Sequence, residues 1–248
     1  MKWLFLLISL SFVLQASASL KLPKQLSASD RQRALEILGL SSSAKILGNP
    51  YPLGGYSGVE IGYTTEVIAT SELSTLGDKS ASQQRETSYS LITLGKGIYN
   101  NIDLYLQFSP FTQGEDISCF GGQIRWGFYQ ADYLPAHLSV VASANTTNFQ
   151  NQIVAVSQGA DLIVGFSVQD MTLYTGLGVA KANGSFAGGD EGVVAPDPGT
   201  TTIEGKKEVV TSSHYVAGLN VKFSKMFFAM QLDRYTQSTY SAKLGVRF

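Results

Sequence analysis

From Tyr56 to its end the chain repeats hydrophobic and polar positions with a period of two, the signature of strands whose side chains alternate between two faces. The closing stretch YSAKLGVRF is the clearest case. Tyr240, Ala242, Leu244, Val246 and Phe248 fall on one face, and Ser241, Lys243, Gly245 and Arg247 on the other. The same alternation predicts strands at about 56–68, 88–98, 101–109, 118–129, 135–145, 153–169, 171–181, 209–223 and 226–235, followed by the terminal strand. Segment 153–169 reads as one long strand or two short ones. The facing of 88–98 is ambiguous, because Tyr89, Leu91 and Tyr99 compete with Ile92, Leu94 and Ile98. Ten strands are expected, with eight or twelve compatible with the pattern.

The connections are ordered too. Long polar stretches fall at 69–87, 110–117, 145–152 and 182–208, and tight turns near residues 100, 132, 170 and 225. Residues 27–40, SASDRQRALEILGL, break the pattern and predict a short helix. Ser29 is its expected cap, Asp30 suits its first turn, Ala34, Leu35, Ile37 and Leu38 form an apolar stripe, and Gly39 is suited to end it. Residues 41–55 are rich in turn formers.

The first residues, MKWLFLLISLSFVLQASAS, add an export signal. Lys2 precedes an apolar run too short to span a bilayer comfortably, and Ala16-Ser17-Ala18 fits a cleavage site, so the expected signal peptide is 1–18. The remaining chain suits one large domain, divided into an N-terminal segment 19–54 and a β-region 55–248. Net charge is -1, from 18 basic and 19 acidic residues, which gives no reason to expect nucleic acid. The single Cys119 excludes an internal disulfide framework. An exported sheet with no later run long enough for a membrane helix is either a soluble secreted β-sandwich or barrel, or a membrane barrel. In lipid the sheet must close on itself.

The ending resembles the C-terminal signature of bacterial outer-membrane β-barrel proteins, carried here by Tyr240, Leu244, Val246 and Phe248. The general barrel pattern covers about 56–248, without a characterised subfamily. The resemblance implies an all-β, antiparallel, up-and-down transmembrane barrel in the outer membrane, surrounded by lipid. It implies recognition of the signature by the barrel-assembly machinery, long loops outside and short turns in the periplasm. Residues 19–54 are then either a helix or linker at the periplasmic opening, or a plug entering the lumen.

The expected lumen-facing polar residues are Glu60, Glu66, Asp103, Gln123, Arg125, Asp161, Asn220, Lys222, Asp233, Lys243 and Arg247. They fit a charge-laced filled core or the wall of a water-filled pore. The favoured expectation is a small porin-like channel for passive passage of small solutes. The alternative is a structural or surface-interaction protein with a filled lumen. Tyr63, Tyr89, Tyr99, Trp126, Tyr133, Tyr174, Tyr215 and Tyr240 are expected toward strand ends, as in an aromatic belt.

An enzyme is not expected. His137 and Ser139 are similar to the His-x-Ser pair that outer-membrane lipid A deacylases carry on a strand, which implies a lipid hydrolase. However, no acid is identifiable to orient the histidine, and His137 follows a predicted periplasmic turn. His214 lies nearer the outer rim, on a strand without the acidic residues an outer-membrane protease of the ten-stranded type would group with it. Asp190, Glu191, Asp197 and Glu204 offer oxygen ligands at spacings matching no calcium loop, and Cys119 offers no metal set. No cofactor or metal is expected, and the sequence does not indicate an oligomeric state.

Overall fold

The computed structural model describes residues 20–81, 85–99, 101–110, 117–189, 192–195 and 204–248. The expected export signal lies outside them. Ten antiparallel strands form a closed barrel. They are β1 (Val59–Ala69), β2 (Glu86–Tyr99), β3 (Ile102–Phe108), β4 (Ile117–Gln130), β5 (Ala136–Phe149), β6 (Ile153–Val168), β7 (Met171–Phe186), β8 (Lys206–Phe223), β9 (Met226–Arg234) and β10 (Ser238–Arg247). Each strand pairs with its sequence neighbours, and β10 closes on β1 with Glu60 opposite Arg247 and Thr64 opposite Lys243. Val59 and Phe248 exchange backbone hydrogen bonds at 3.0 and 2.8 Å, extending the seam to the last residue.

The helix α1 (Ala28–Leu35) is capped by Ser27, not by the expected Ser29. Ser27 and Asp30 form a capping box in which each side chain accepts from the other's backbone N–H. Gly39 does not end the helical run, which continues as a wider π-type turn over Glu36–Leu40. Ala34, Leu35, Ile37, Leu38 and Leu40 are all fully buried inside the barrel.

Several strands outrun their sequence-based ends. β5 continues to Phe149, so 145–152 is not a long loop. A tight turn follows, with Gln150 and Asn151 at φ 53° and 56°. β7 continues to Phe186 and β8 begins at Lys206, which shortens the expected 182–208 loop. The ambiguity in β2 is resolved, with Tyr89 and Leu91 buried in the interior and Leu94, Ile98 and Tyr99 exposed.

These extensions share a physical cause. Nearer the short turns, the wall is apolar outside and polar inside. On β7 and β8 the outward Met171, Leu173, Leu177, Val179, Tyr215 and Phe223 are exposed, while Thr172, His214 and Asn220 are buried. Toward the long loops the polarity reverses. Ala180, Ala182, Phe186, Val210, Phe149, Ile153 and Ala155 turn inward against the N-terminal helix and form one buried cluster, while Lys181, Ser185, Lys207, Thr211 and Ser213 lie exposed outside. The first region suits lipid outside, and the second has the cross-section of a water-soluble sheet over its core.

Candidate functional site

The interior is occupied by the chain's own N-terminal segment. α1 and the turn after it lie at the long-loop end, so the expected helix at the short-turn opening is corrected. Leu35 packs at β7, where a Cβ built on Gly184 would lie 2.7 Å from its Cδ1. Gly39 is required by close approach, since its Cβ would stand 3.2 Å from Ala182 Cβ and 3.3 Å from Ala155 Cβ. From Ser41 the chain runs through the lumen to Gly54 near the short turns, then enters β1.

A backbone strand inside a barrel has no sheet partner, and its N–H and C=O groups need others. The polar wall supplies them. Asn145 Nδ2 donates to Ser42 O at 2.6 Å and Ser139 Oγ to Pro50 O at 3.0 Å. Gln123 Nε2 donates to Lys45 O, and Arg125 Nη2 to Ile46 O. Leu47 N–H donates to Gln231 Oε1 at 2.8 Å, and Leu53 N–H to Asp103 Oδ2 at 2.9 Å.

The charged side chains pair with one another as well. Glu60 accepts from Lys243 Nζ at 2.6 Å, and from Arg247 Nε and Nη2 at 3.1 and 2.5 Å. The first and last strands are thereby tied across the closing seam. The Arg125 guanidinium lies 3.7 Å from the centre of the Tyr105 ring. Farther toward the long loops, His214 Nδ1 sits 2.6 Å from Asp161 Oδ1 and its Nε2 2.8 Å from Asp233 Oδ1. Gln231 Nε2 also donates to Asp233, and the Tyr235 ring stacks on the imidazole at 4.2 Å. Lys45 of the inserted segment donates to Ser41 O and Ser43 O, both at 2.8 Å, and lies 5.0 Å over the same Tyr235 ring.

An imidazolium satisfies both carboxylates around His214 with one N–H each. The described interior brings Lys45, Arg125, His214, Lys243 and Arg247 together with Glu60, Glu66, Asp103, Asp161 and Asp233. Basic and acidic side chains therefore face one another inside the barrel, where an unpaired charge is costly. A cavity of about 10 Å³ among Lys45, Glu66, Thr93, Gln107, Gln123 and Arg125 has room for about one water molecule.

Of the expected lumen-facing residues, Glu60, Glu66, Asp103, Gln123, Arg125, Asp161, Asn220, Asp233 and Lys243 are buried inside, with Arg247 at the lower edge of the cluster. Lys222 is a correction. It has the inward parity but is exposed, because β8 has reached its short turn and the interior ends below it. In the C-terminal signature, Tyr240, Leu244 and Phe248 are exposed and Val246 is half-buried, all on the outer side. Tyr63, Tyr99, Trp126, Tyr133, Tyr215 and Tyr240 are also exposed. Tyr89 and Tyr174 belong to no belt, since both are buried in the interior, where their hydroxyls donate to Glu66 at 2.7 Å and Gln231 at 2.8 Å.

His137 and Ser139 both meet the inserted segment. Ser139 is bound to Pro50 O, and the His137 ring meets the Tyr51 ring edge-on at 5.1 Å, packed over Gly165. The acids missing from His214's own strand come from β6 and β9. Cys119 is buried, its Sγ 3.1 Å from Asn145 Oδ1. Among the described residues no group of three or more His, Cys, Asp or Glu is placed to hold a metal. Asp190, Glu191 and Asp197 lie outside those residues. Sequence reasoning missed Lys45, Asn145 and Gln231. Gln231 was visible as a polar residue on the inward face of β9.

A closed ten-stranded antiparallel wall with an apolar outer face and a polar-lined interior has the architecture of a transmembrane β-barrel. No protein-family model and no curated protein matches the chain. Among solved structures, Ail, the attachment invasion locus protein of Yersinia pestis, is similar at 14% identity over 77% of this chain and 97% of that one, with a TM-score of 0.30. The same protein in complex with the heparin analogue sucrose octasulfate gives 15% identity, the same coverage and a TM-score of 0.32. Neisserial surface protein A (NspA) gives 10% identity over 77% of this chain and 94% of that one, with a TM-score of 0.28.

Proposed function

We propose that the protein is a structural, surface-facing component of a bacterial outer membrane, with a lumen sealed by its own N-terminal segment. The outer apolar region, the export signal expected at 1–18 and the C-terminal signature support that location. The observation that carries the sealed reading is the set of hydrogen bonds between six wall side chains, Asn145, Gln123, Arg125, Gln231, Ser139 and Asp103, and the backbone of 42–53. Groups spent on holding a segment are not free to line a solute path. The small-solute channel, favoured on sequence alone, is therefore the weaker reading. The projecting β5–β8 wall, with its polar exterior, is the part offered to the surroundings.

Planar-bilayer recording of the purified full-length protein tests this reading. No steady conductance is expected. A reproducible ohmic conductance from the intact, folded protein would restore the channel.

A further inference from the structure

The helical run and the extended stretch after it place residues 20 and 54 at opposite ends of the barrel. Residues 50–58 are held at the short-turn end, where Tyr51 Oη donates to Gln130 at 2.6 Å and Gly97 N–H to Gly58 O at 3.0 Å. Residues 20–26 are held at the long-loop end by three separate connections. Gln150 Nε2, in the β5–β6 turn, donates to Leu20 O. In the β1–β2 loop, Asp78 N–H donates to Lys24 O at 2.9 Å and Asp78 Oδ1 accepts from Lys24 N–H at 3.1 Å. In the β7–β8 loop, Leu26 N–H donates to Val193 O at 2.7 Å and Leu26 O accepts from Ala195 N–H at 3.2 Å, a parallel bridge to Val194. Leu20, Leu22 and Leu26 are buried beneath these loops.

An even number of strands leaves both ends of the barrel wall, Val59 and Phe248, at the short-turn side. The segment before β1 then crosses the whole thickness again, inside the wall. We infer that the start of the mature chain traverses the outer membrane through the protein's own lumen and is displayed at the cell surface, stitched among the long loops. The inference rests on the surface-facing reading above, which sets the long loops outside. The inserted run, whose helix with side chains is about 10 Å across, is hydrogen-bonded to β3, β4, β5 and β9.

Three single-cysteine reporters, each in a Cys119→Ser background, test this on intact cells with a membrane-impermeant maleimide. Lys21→Cys reports the start of the segment, Lys207→Cys the long-loop end, and Tyr133→Cys the short-turn end; all three native residues are exposed. The expected result is labelling at 21 and 207 on intact cells, and at 133 only after permeabilisation. Labelling at 207 but not at 21 on intact cells overturns the inference and leaves the surface-facing reading standing. Labelling at 133 with neither 21 nor 207, or at none of the three, overturns that reading itself.

Discussion

His214 on β8 reaches Asp161 on β6 across the intervening strand, over the bare backbone of Gly178. Gly178 is in register with both residues, and Nδ1 lies 2.6 Å from Oδ1. A Cβ at 178 would lie 2.2 Å from that Oδ1 and 2.1 Å from Ala160 O. Gly178→Ala should separate the pair and destabilise the barrel by about 3–5 kcal/mol, the range for breaking a buried ion pair. Urea unfolding in detergent micelles measures the loss. A change within experimental error would show that the ladder flexes to accept the methyl group.

The seam offers a sharper test of charge balance. Glu60→Gln leaves Lys243 and Arg247 without their shared carboxylate, and about 3–5 kcal/mol should again be lost. Lys243→Met in the same chain should restore part of it, because the uncompensated buried ammonium is then gone. A double-mutant cycle from equilibrium unfolding gives the coupling. Additive single and double losses would mean that Glu60 and Lys243 act independently.

Outside the membrane-spanning region, hydrogen bonds from Ser80, and then from the Lys24 backbone, hold the Asp78 carboxyl below its ordinary value. A depressed carboxyl favours the folded attachment at neutral pH, and the benefit disappears as pH falls through the folded-state value. The tie between residue 24 and the β1–β2 loop should therefore loosen in acid, below about pH 4, and not in mild alkali. Proteolysis of residues 20–26 on intact cells should rise in acid, and Asp78→Asn should raise it at neutral pH. Protease resistance that does not change with pH in the native chain would remove Asp78 from that role.

The helix cap supplies a smaller effect. Ser27→Ala removes the side-chain acceptor for Asp30 N–H and should cost about 1 kcal/mol. Native-state hydrogen exchange should show that cost in the first turn of α1, with the strands unaffected. Equal loss of protection throughout the barrel would mean that the helix and wall open together.

The strand count and the inward set on β1, β3 and β4 were legible because a period of two runs through most of each strand, whereas the connection at 145–152 was read as longer than it is. What misled was the assumption that apolar alternation always faces lipid. Asn145, Thr147 and Phe149, like Ala182 and Phe186, keep the period but face a protein core, so their polar neighbours read as loops. Lys45 was illegible for a different reason. It lies in a stretch without regular structure, where its ammonium bonds to carbonyls of its own segment while the Tyr235 ring and Gln123 reach it from far away in sequence. The acids around His214 were each recognised as inward, but only the register across β6, β7, β8 and β9 brings them to one imidazole.

The central claim, that residues 20–54 occupy the barrel in the assembled protein, has a direct measurement. Leu35→Cys with Gly184→Cys, in a Cys119→Ser background, brings two thiols face to face, because the built Cβ of residue 184 lies 2.7 Å from the Leu35 Cδ1 that the first substitution removes, within reach of a disulfide. Oxidation in native membranes should join helix to wall in nearly all molecules, seen as a reducible link between the corresponding proteolytic fragments by mass spectrometry. Thiols that stay free while the barrel remains folded would place the segment elsewhere.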